Sequence, residues 1–294
     1  MLTKDTMNVP CRLLAIDVDG TLVDRQNRLP QANRIAIHRA HEAGVKVCLC
    51  TGRSLTEARP VLDEIDLDLD AGMFVFGAVV SDLKRGETIF RSPLSTSLAH
   101  RLVDFFARHD YPSLCVYDTQ QVGFDYHYVE GYRNRKAYED WIRQTPCLVK
   151  RIERQTTTFD IVPPLRVGAI VEHEAGNKIV SSLKNTFSPS ELKFNLIFVA
   201  QYDFYVLECF SPEVNKWYGI SQLIDLWNID ASQVAAIGDD VNDVEMLAHA
   251  GVGIAMGNAS DEVKAAADWH APTNDACGLA WAIDALLNDR NPQS

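Results

Sequence analysis

The chain has 294 residues, 47% of them hydrophobic, which is the composition of an ordinary globular protein. At roughly 100–200 residues per domain, this length favours two domains. The formal net charge is -12, with no basic block to offset it, which argues against wholesale binding to nucleic-acid phosphates.

Neither a membrane span nor a secretory signal is indicated. No run approaches the ~20 apolar residues of a spanning helix, and residues 1–10 contain no apolar stretch of signal-peptide length. The seven cysteines are odd in number and form no C-x-x-C pair, which favours buried thiols in a reducing compartment over disulfides. We expect a soluble cytoplasmic protein with no membrane partner and no obligate protein partner.

The first part of the chain alternates strand-like and helix-like patterns. The patterns predict strands at 13–16, 45–50 and 73–80 and helices at 30–43 and 54–65. In the first helix, Ile35, Ile37 and Ala40 are expected to form the buried face. Strands alternating with helices over short links are typical of a parallel, doubly wound sheet.

A different pattern follows, with more hairpins and shorter strands. It predicts a hairpin at 81–92, helices at 97–109 and 175–187, a segment at 126–141 that is helical in its second half, and strands at 114–117, 121–126, 166–172, 193–199 and 203–210. Such a mixture is typical of an α+β module. We expect this module to be inserted into the first domain.

From residue 211 the first pattern returns. It predicts strands at 234–237 and 251–256, and helices at 212–227, 244–250, 261–267 and 278–287. The predicted fold class is therefore α/β, a Rossmann-like doubly wound parallel sheet core with an inserted α+β cap domain. Residues 1–84 and 211–294 are expected to form the core, and residues 85–210 the cap.

Asp17 and Asp19 follow the first predicted strand. Residues two apart face the same side of an extended chain, and ligands of open α/β sheets bind at the carboxyl ends of strands. A pair of acids there can hold a divalent cation, attack an electrophile or transfer protons. The alternative is that Asp19 and Gly20 are ordinary turn residues.

Two further positions can bind an anion. Thr51 and Gly52 end the second strand and precede a helix, so that a hydroxyl and backbone N–H groups could form an anion cradle. Thr51 could equally be a simple helix N-cap. Lys216 lies near the start of an otherwise apolar helix, where it could also be a solvated surface residue.

The segment 238–243, Gly-Asp-Asp-Val-Asn-Asp, follows a predicted buried strand. Three aspartates and an asparagine within five residues are a strong metal-binding candidate, since turn chemistry accounts for only one or two of them. Neither G-x-G-x-x-G nor G-x-x-x-x-G-K-[ST] occurs, so neither common type of nucleotide site is indicated.

The order and spacing of these segments resemble the haloacid dehalogenase superfamily of aspartate-nucleophile phosphatases. The resemblance is closest to the Cof-like subclass (IIB), which carries an α/β cap between the second and third motifs. It covers nearly the whole chain, through DVDGT at 17–21, TGR at 51–53, Lys216, GDDVND at 238–243, AMGNA at 255–259 and Asn274-Asp275.

The resemblance implies a Mg²⁺-dependent phosphatase. Asp17 would attack the phosphorus to form an aspartyl phosphate, while Asp19 would protonate the leaving alcohol and then activate water. Mg²⁺ would be held by Asp17, the backbone carbonyl of Asp19 and Asp239, with Asp243 close by or acting through water.

The phosphoryl oxygens would be held by Thr51 with Gly52, by Lys216 and by Asn242. The expected substrate is a small phosphorylated metabolite, a sugar phosphate or a nucleotide monophosphate. A phosphomutase of the same superfamily is an alternative, and a non-catalytic regulator that binds a phosphorylated ligand is another.

The chain departs from the family pattern at two positions. Relatives usually have Asn-Gly-Ala where this chain has Phe76-Gly77-Ala78, and glycine where it has Trp217. Neither change removes a catalytic group. We expect activity to be retained and the choice of substrate to be affected.

Overall fold

The computed structural model describes residues 11–153, 159, 162–199 and 203–288, so the prediction made for residues 1–10 lies outside the described residues. The chain forms two compact units. The first contains the described residues of Met1–Gly52, Ala58–Phe90 and Asn215–Ser294, and the second contains those of Arg53–Glu57 and Arg91–Val214. That residues 85–210 act as a cap stays a prediction.

The described residues form fourteen strands. In chain order these are β1 Leu13–Asp17, β2 Lys46–Cys50, β3 Ala71–Phe74, β4 Val79–Asp82, β5 Glu87–Arg91, β6 Ser113–Val116, β7 Tyr126–Val129, β8 Val149–Ile152, β9 Arg166–Glu172, β10 Lys193–Val199, β11 Phe204–Phe210, β12 Val234–Gly238, β13 Val252–Ala255 and β14 Trp269–His270.

Ten α-helices lie within the same described ranges. They are α1 Gln31–Glu42, α2 Leu55–Ile65, α3 Thr96–Arg108, α4 Thr119–Val122, α5 Arg135–Gln144, α6 Gly176–Thr186, α7 Lys216–Trp227, α8 Val244–His249, α9 Asp261–Ala265 and α10 Gly278–Leu287. No described helix is long and apolar enough to cross a membrane.

Eight strands form the first sheet, in the order β14-β13-β12-β1-β2-β3-β4-β5. The pairs from β14 to β3 are parallel, and β4 runs antiparallel to β3. Every residue of β1 is buried, as expected for a parallel strand covered on both faces. The predicted α/β fold with a parallel, Rossmann-like sheet is confirmed.

This topology brings together the strand ends that matter for function. β1 lies between β12 and β2, with Ile16 opposite Ile237 and Asp17 opposite Cys50. Because the three strands are parallel, the loops after their carboxyl ends leave the sheet at the same edge.

The second sheet has the order β10-β11-β9-β6-β7-β8. All its pairs are antiparallel except β7 with β8. One apolar core joins residues of this sheet to residues of helices α3 and α6, including Phe106, Ile179 and Leu207. The mixed sheet and its helices confirm the predicted α+β module.

The strand predicted over 73–80 is wrong in one respect, because the run contains two strands. β3 and β4 are separated by the turn Val75–Gly77, where φ is +51°, +57° and +100° at successive residues. Valine and phenylalanine rarely adopt positive φ, so these residue types gave no indication of a turn.

Three other local predictions are corrected. The strand predicted at 121–126 is wrong, because residues 121 and 122 end the short helix α4, residues 123–125 form a loop, and β7 begins only at Tyr126. Asp118 caps α4 by accepting the N–H of Gln120. Two short strands, β8 and β14, were not predicted. Ile35 was predicted on the buried face of α1 but is 50% exposed. The helix instead buries Asn33, whose side-chain amide donates to the carbonyl of Leu22.

The second unit contains a buried ion pair between Arg166 of β9 and Glu208 of the neighbouring strand β11. Both side chains are less than a tenth exposed. Burial raises the pKa of Glu208 to about 7, although the Arg166 guanidinium opposes this effect. The pair must therefore remain intact for either charge to be tolerated in the interior.

We predict that Arg166→Met lowers the free energy of unfolding by about 3–5 kcal/mol, because it leaves a buried carboxylate without its cation. Arg101→Met is the matched control, since Arg101 pairs with Glu191 at the surface and its loss should cost less than about 1 kcal/mol. Chemical denaturation of both variants measures the difference, and equal losses would contradict the prediction.

Candidate active site

The sheet edge described above gathers a cluster of charged side chains. Asp17 is the last residue of β1, and Asp239 follows β12 directly. Carboxylate oxygens of Asp17, Asp239 and Asp243 all lie within 4.8 Å of one another. The Nζ of Lys216 is 2.6 Å from Oδ1 of Asp17 and 2.5 Å from Oδ1 of Asp243.

Lys216 is the first residue of α7 and is only 1% exposed, so its interpretation as a solvated surface residue is wrong. The preceding Asn215 caps the helix by accepting the N–H of Tyr218 at 2.8 Å. Burial by itself would lower the pKa of Lys216, but the charges of Asp17 and Asp243 raise it above its usual value. The side chain therefore stays protonated.

Asp17 has one oxygen paired and one unpaired. Oδ1 accepts from Lys216, whereas Oδ2 is buried and has no hydrogen-bond partner among the described residues. Burial raises the pKa of Asp17 well above its usual value. The charge of Lys216 lowers this pKa, whereas the nearby carboxylates of Asp243, Asp239 and Asp19 raise it further. The cluster thus holds more negative charge than one ammonium can neutralise.

Asp243 uses both oxygens within the protein. Oδ1 accepts from Lys216, and Oδ2 accepts the backbone N–H groups of Asp239 and Asp240, each at 3.0 Å. The aspartate therefore closes the loop that follows β12 and anchors the lysine. With its acceptors engaged in this way, Asp243 is less available to a cation than Asp239.

Asp239 is half-buried and oriented by two donors. Thr21 Oγ1 lies 3.3 Å from its Oδ1, and Asn258 Nδ2 lies 2.9 Å from its Oδ2. Burial raises the pKa of Asp239 to about 7, with contributions from Asp243 and Asp240. A divalent cation would relieve this crowding of negative charge.

Glycines allow these segments to approach closely. Gly20 has φ of +83°, and a Cβ on it would lie 2.2 Å from Oδ2 of Asp239. A Cβ on Gly238 would lie 2.4 Å from Cγ of Asp243. Larger residues at either position would push the carboxylates apart.

Two asparagines complete the site, and residue chemistry alone gave them no role. Asn258 Nδ2 donates to the carbonyl of Gly20 as well as to Asp239, and its Oδ1 accepts the N–H of Asn274. Asn274 Nδ2 in turn donates to the carbonyl of Val23. Their only signal in the sequence was that both belong to the segments that resemble the Cof-like subclass.

The remaining predicted site residues lie around this edge. Thr51 follows β2 and is buried, and the helix N-cap interpretation is wrong because Ser54 and Glu57 form the reciprocal cap of α2. Asp19 is exposed in the turn after β1. Asn242 is half-buried and donates to Oδ2 of Asp240 at 3.0 Å.

The two departures from the family pattern have different surroundings. Trp217 is half-buried and stacks on His249, with ring centroids 5.6 Å apart. Phe76 is buried, and its ring lies against Gly52. Of the two, Phe76 is thus the one in contact with a predicted phosphate-binding residue.

A divalent cation fits the residues present. The carboxylates of Asp17 and Asp239 supply oxygen donors in a region of excess negative charge. Hard cations such as Mg²⁺ prefer oxygen ligands of this kind and retain several waters.

Comparison with known families agrees with this geometry. The sequence model of one protein family, the haloacid dehalogenase-like hydrolases, matches residues 14–283. The chain belongs to this family. The predicted superfamily and the predicted class of enzyme, a HAD-type phosphatase, are confirmed.

Individual relatives align over almost the whole HAD-like chain. YxeH of Bacillus subtilis is 29% identical over 279 residues, which cover 94% of this chain and 98% of YxeH. YwtE of the same organism, a 5-amino-6-(5-phospho-D-ribitylamino)uracil phosphatase, is 27% identical over 292 residues, with coverage of 94% and 98%.

A solved haloacid dehalogenase-like hydrolase from Bacteroides thetaiotaomicron superimposes with a TM-score of 0.76. Its sequence is 23% identical, and the match covers 94% of this chain and 99% of the other. This likeness shows that the HAD-like fold extends over both units.

We predict that Asn258→Ala raises the Mg²⁺ concentration needed for half-maximal thermal stabilisation by about 10–100-fold, because Asp239 loses one of its two orienting donors. Asn177→Ala is the control, since Asn177 is exposed on α6. A thermal melt at increasing Mg²⁺ measures the effect. Equal midpoints for the two variants would rule out the orienting role.

The raised pKa of Asp239 predicts a pH effect on stability without metal. The folded protein retains a proton there up to about pH 7, whereas the unfolded chain releases it near pH 4. This contribution is present at low pH and is lost as the pH rises through about 7. In chelator, wild-type stability should therefore fall relative to that of Asp239→Asn between about pH 4 and about pH 7, and the difference should be constant at higher pH.

Denaturation curves of the two proteins at each pH provide the measurement. Mg²⁺ should reduce the fall in the wild type, because the cation replaces the proton. A wild type that gains stability over Asp239→Asn across this range would contradict the prediction.

Proposed function

We propose that the enzyme is a Mg²⁺-dependent phosphatase that hydrolyses small phosphomonoesters through an aspartyl-phosphate intermediate. The observation that carries the proposal is the unpaired, buried Oδ2 of Asp17 beside a protonated lysine. A buried carboxylate oxygen without a partner is costly, so its retention favours a role in binding or chemistry. In the proposed reaction it is the atom that attacks phosphorus.

The chemistry proceeds in two steps. Asp17 forms a bond to phosphorus as the ester oxygen leaves, and Asp19 donates the proton that the leaving alkoxide needs. Asp19 then takes a proton from water, which attacks the aspartyl phosphate and releases inorganic phosphate. The exposure of Asp19 supports this assignment, since an acid that exchanges protons in both steps must reach the substrate and water.

Electrostatics decide whether Asp17 can approach the phosphate at all. Two unit charges 4 Å apart repel by about 4 kcal/mol at an effective dielectric constant of 20. Lys216 offsets part of this repulsion because its ammonium lies between Asp17 and Asp243. When bound by Asp17, Asp239 and the carbonyl of Asp19, Mg²⁺ would neutralise charge on the phosphoryl group.

The phosphoryl oxygens are assigned to four groups. Lys216 supplies a fixed positive charge, and Thr51 with Gly52 supplies a hydroxyl and backbone N–H groups at the end of β2. Asn242 supplies a side-chain amide from the loop after β12. Asp243 would act indirectly, by anchoring the lysine and closing that loop, or through a water.

The second unit is proposed to be the cap. Its main segment leaves the first unit after Phe90 and returns at Asn215, directly before Lys216. A module connected in this way can exclude water from the reaction and contact the leaving group.

Sugar phosphates and nucleotide monophosphates are the proposed substrates. The name of the relative YwtE supports this class, because its substrate combines a phosphorylated sugar alcohol with a pyrimidine. A cytoplasmic location is proposed because all seven cysteines are free.

A screen of phosphorylated metabolites with Mg²⁺ tests the proposed function, with inorganic phosphate as the readout. Release of phosphate from sugar phosphates or nucleotides is the expected result. Isomerised phosphosugar without free phosphate would favour the phosphomutase. Binding without turnover would favour a regulator.

We predict that Asp17→Asn lowers kcat by at least about 10³-fold, because an amide cannot form the aspartyl phosphate. The fold should survive, since the substitution also removes a buried negative charge. Asp63→Asn makes the same chemical change at an exposed position of α2 and should leave kcat unchanged. Wild-type turnover by Asp17→Asn would refute the nucleophile assignment.

A further inference from the structure

The turn Val75–Gly77 has an unusual backbone. Val75, Phe76 and Gly77 have φ of +51°, +57° and +100°, so three consecutive residues lie in the left-handed region. This conformation is unfavourable for valine and phenylalanine, and strained residues persist only where their surroundings hold them in place. The contacts of the turn indicate what holds it.

One side of the turn contacts the predicted anion cradle. The backbone N–H of Phe76 donates to the carbonyl of Thr51 at 3.0 Å. A Cβ built on Gly52 would lie only 2.2 Å from Cζ of Phe76 and 2.5 Å from Cε2. The phenyl ring thus fills the space that a side chain at residue 52 would need.

The other side of the turn contacts the start of α7. A Cβ on Gly77 would lie 2.1 Å from the carbonyl oxygen of Asn215, the residue directly before Lys216. A Cβ on Gly219 would lie 3.0 Å from Cα of Gly77. The turn is therefore packed between the two segments that carry the proposed phosphate contacts.

We infer that Phe76 is a positioning residue for the phosphoryl group, an inference that rests on the proposed function. Glycine is the most flexible residue, and Gly52 can present its N–H to an anion reproducibly only if its backbone is restrained. The ring of Phe76 supplies that restraint. The turn also keeps Gly52 and Lys216 at a fixed separation, so that both can contact one phosphoryl group.

The test is the inhibition constant for inorganic phosphate, with KM and kcat for p-nitrophenyl phosphate in the presence of Mg²⁺. Phe76→Asn should fold well, because asparagine tolerates positive φ better than phenylalanine. We expect the inhibition constant and KM to rise by about tenfold, with a smaller change in kcat and no loss in melting temperature.

Phe74→Leu is the matched control. The ring of Phe74 covers Gly72 in the same manner, with Cζ 2.4 Å from the position of a Cβ there, but within β3. Its replacement should lower the melting temperature and leave the inhibition constant unchanged. If both variants shifted the constant equally, the effect of Phe76 would be general packing and the inference would be overturned.

A double-mutant cycle tests the contact itself. Gly52→Ala should raise the inhibition constant by about tenfold in the wild type and by less than about threefold in Phe76→Ala, where the ring no longer opposes the new methyl group. Equal effects in both backgrounds would overturn the inference.

Measurements on the wild type distinguish failure of the proposed function from failure of the inference about Phe76. Failure of wild-type enzyme to hydrolyse p-nitrophenyl phosphate or to bind phosphate would refute the proposed function, and with it any role of Phe76 in phosphate binding. Normal wild-type turnover with an unchanged inhibition constant in Phe76→Asn would overturn only the inference about Phe76.

Discussion

The site depends on one ammonium group held between two carboxylates in the protein interior. Lys216 is almost completely buried, and its Nζ contacts both Asp17 and Asp243. Burying this charge is tolerable only because the carboxylates compensate for the lost hydration. The same contacts join the end of β1, the start of α7 and the loop after β12, so the electrostatics of the site and its architecture are inseparable.

The charge balance around the lysine determines what the site can bind. One ammonium cannot neutralise the aspartates around it, as the raised pKa values of Asp17 and Asp239 indicate. This excess of negative charge favours binding of a divalent cation. The bound cation would in turn reduce the repulsion of a phosphate dianion. Asn258 and Gly20 support the arrangement, since one orients Asp239 and the other lets it approach the loop after β1.

Much of this arrangement could be predicted from the sequence, and the reasons are local. Asp17 and Asp239 follow apolar strands, and parallel strands place such residues at one edge. The burial of Lys216 could not be predicted, because it depends on partners about 200 and 27 positions away along the chain. The turn at Phe76 was not predicted, because tertiary contacts impose its strain. The exposure of Ile35 was not predicted, because the hydrogen bond of Asn33 sets the rotation of α1.

The identity of the atom that receives the phosphoryl group is the most direct test of the account. Enzyme is mixed with a phosphomonoester and Mg²⁺, quenched in acid during turnover, digested and mapped by mass spectrometry. The account predicts a phosphoryl group on the peptide that contains Asp17, assigned to that aspartate by fragmentation. A phosphoryl group located on any other residue during turnover would contradict it.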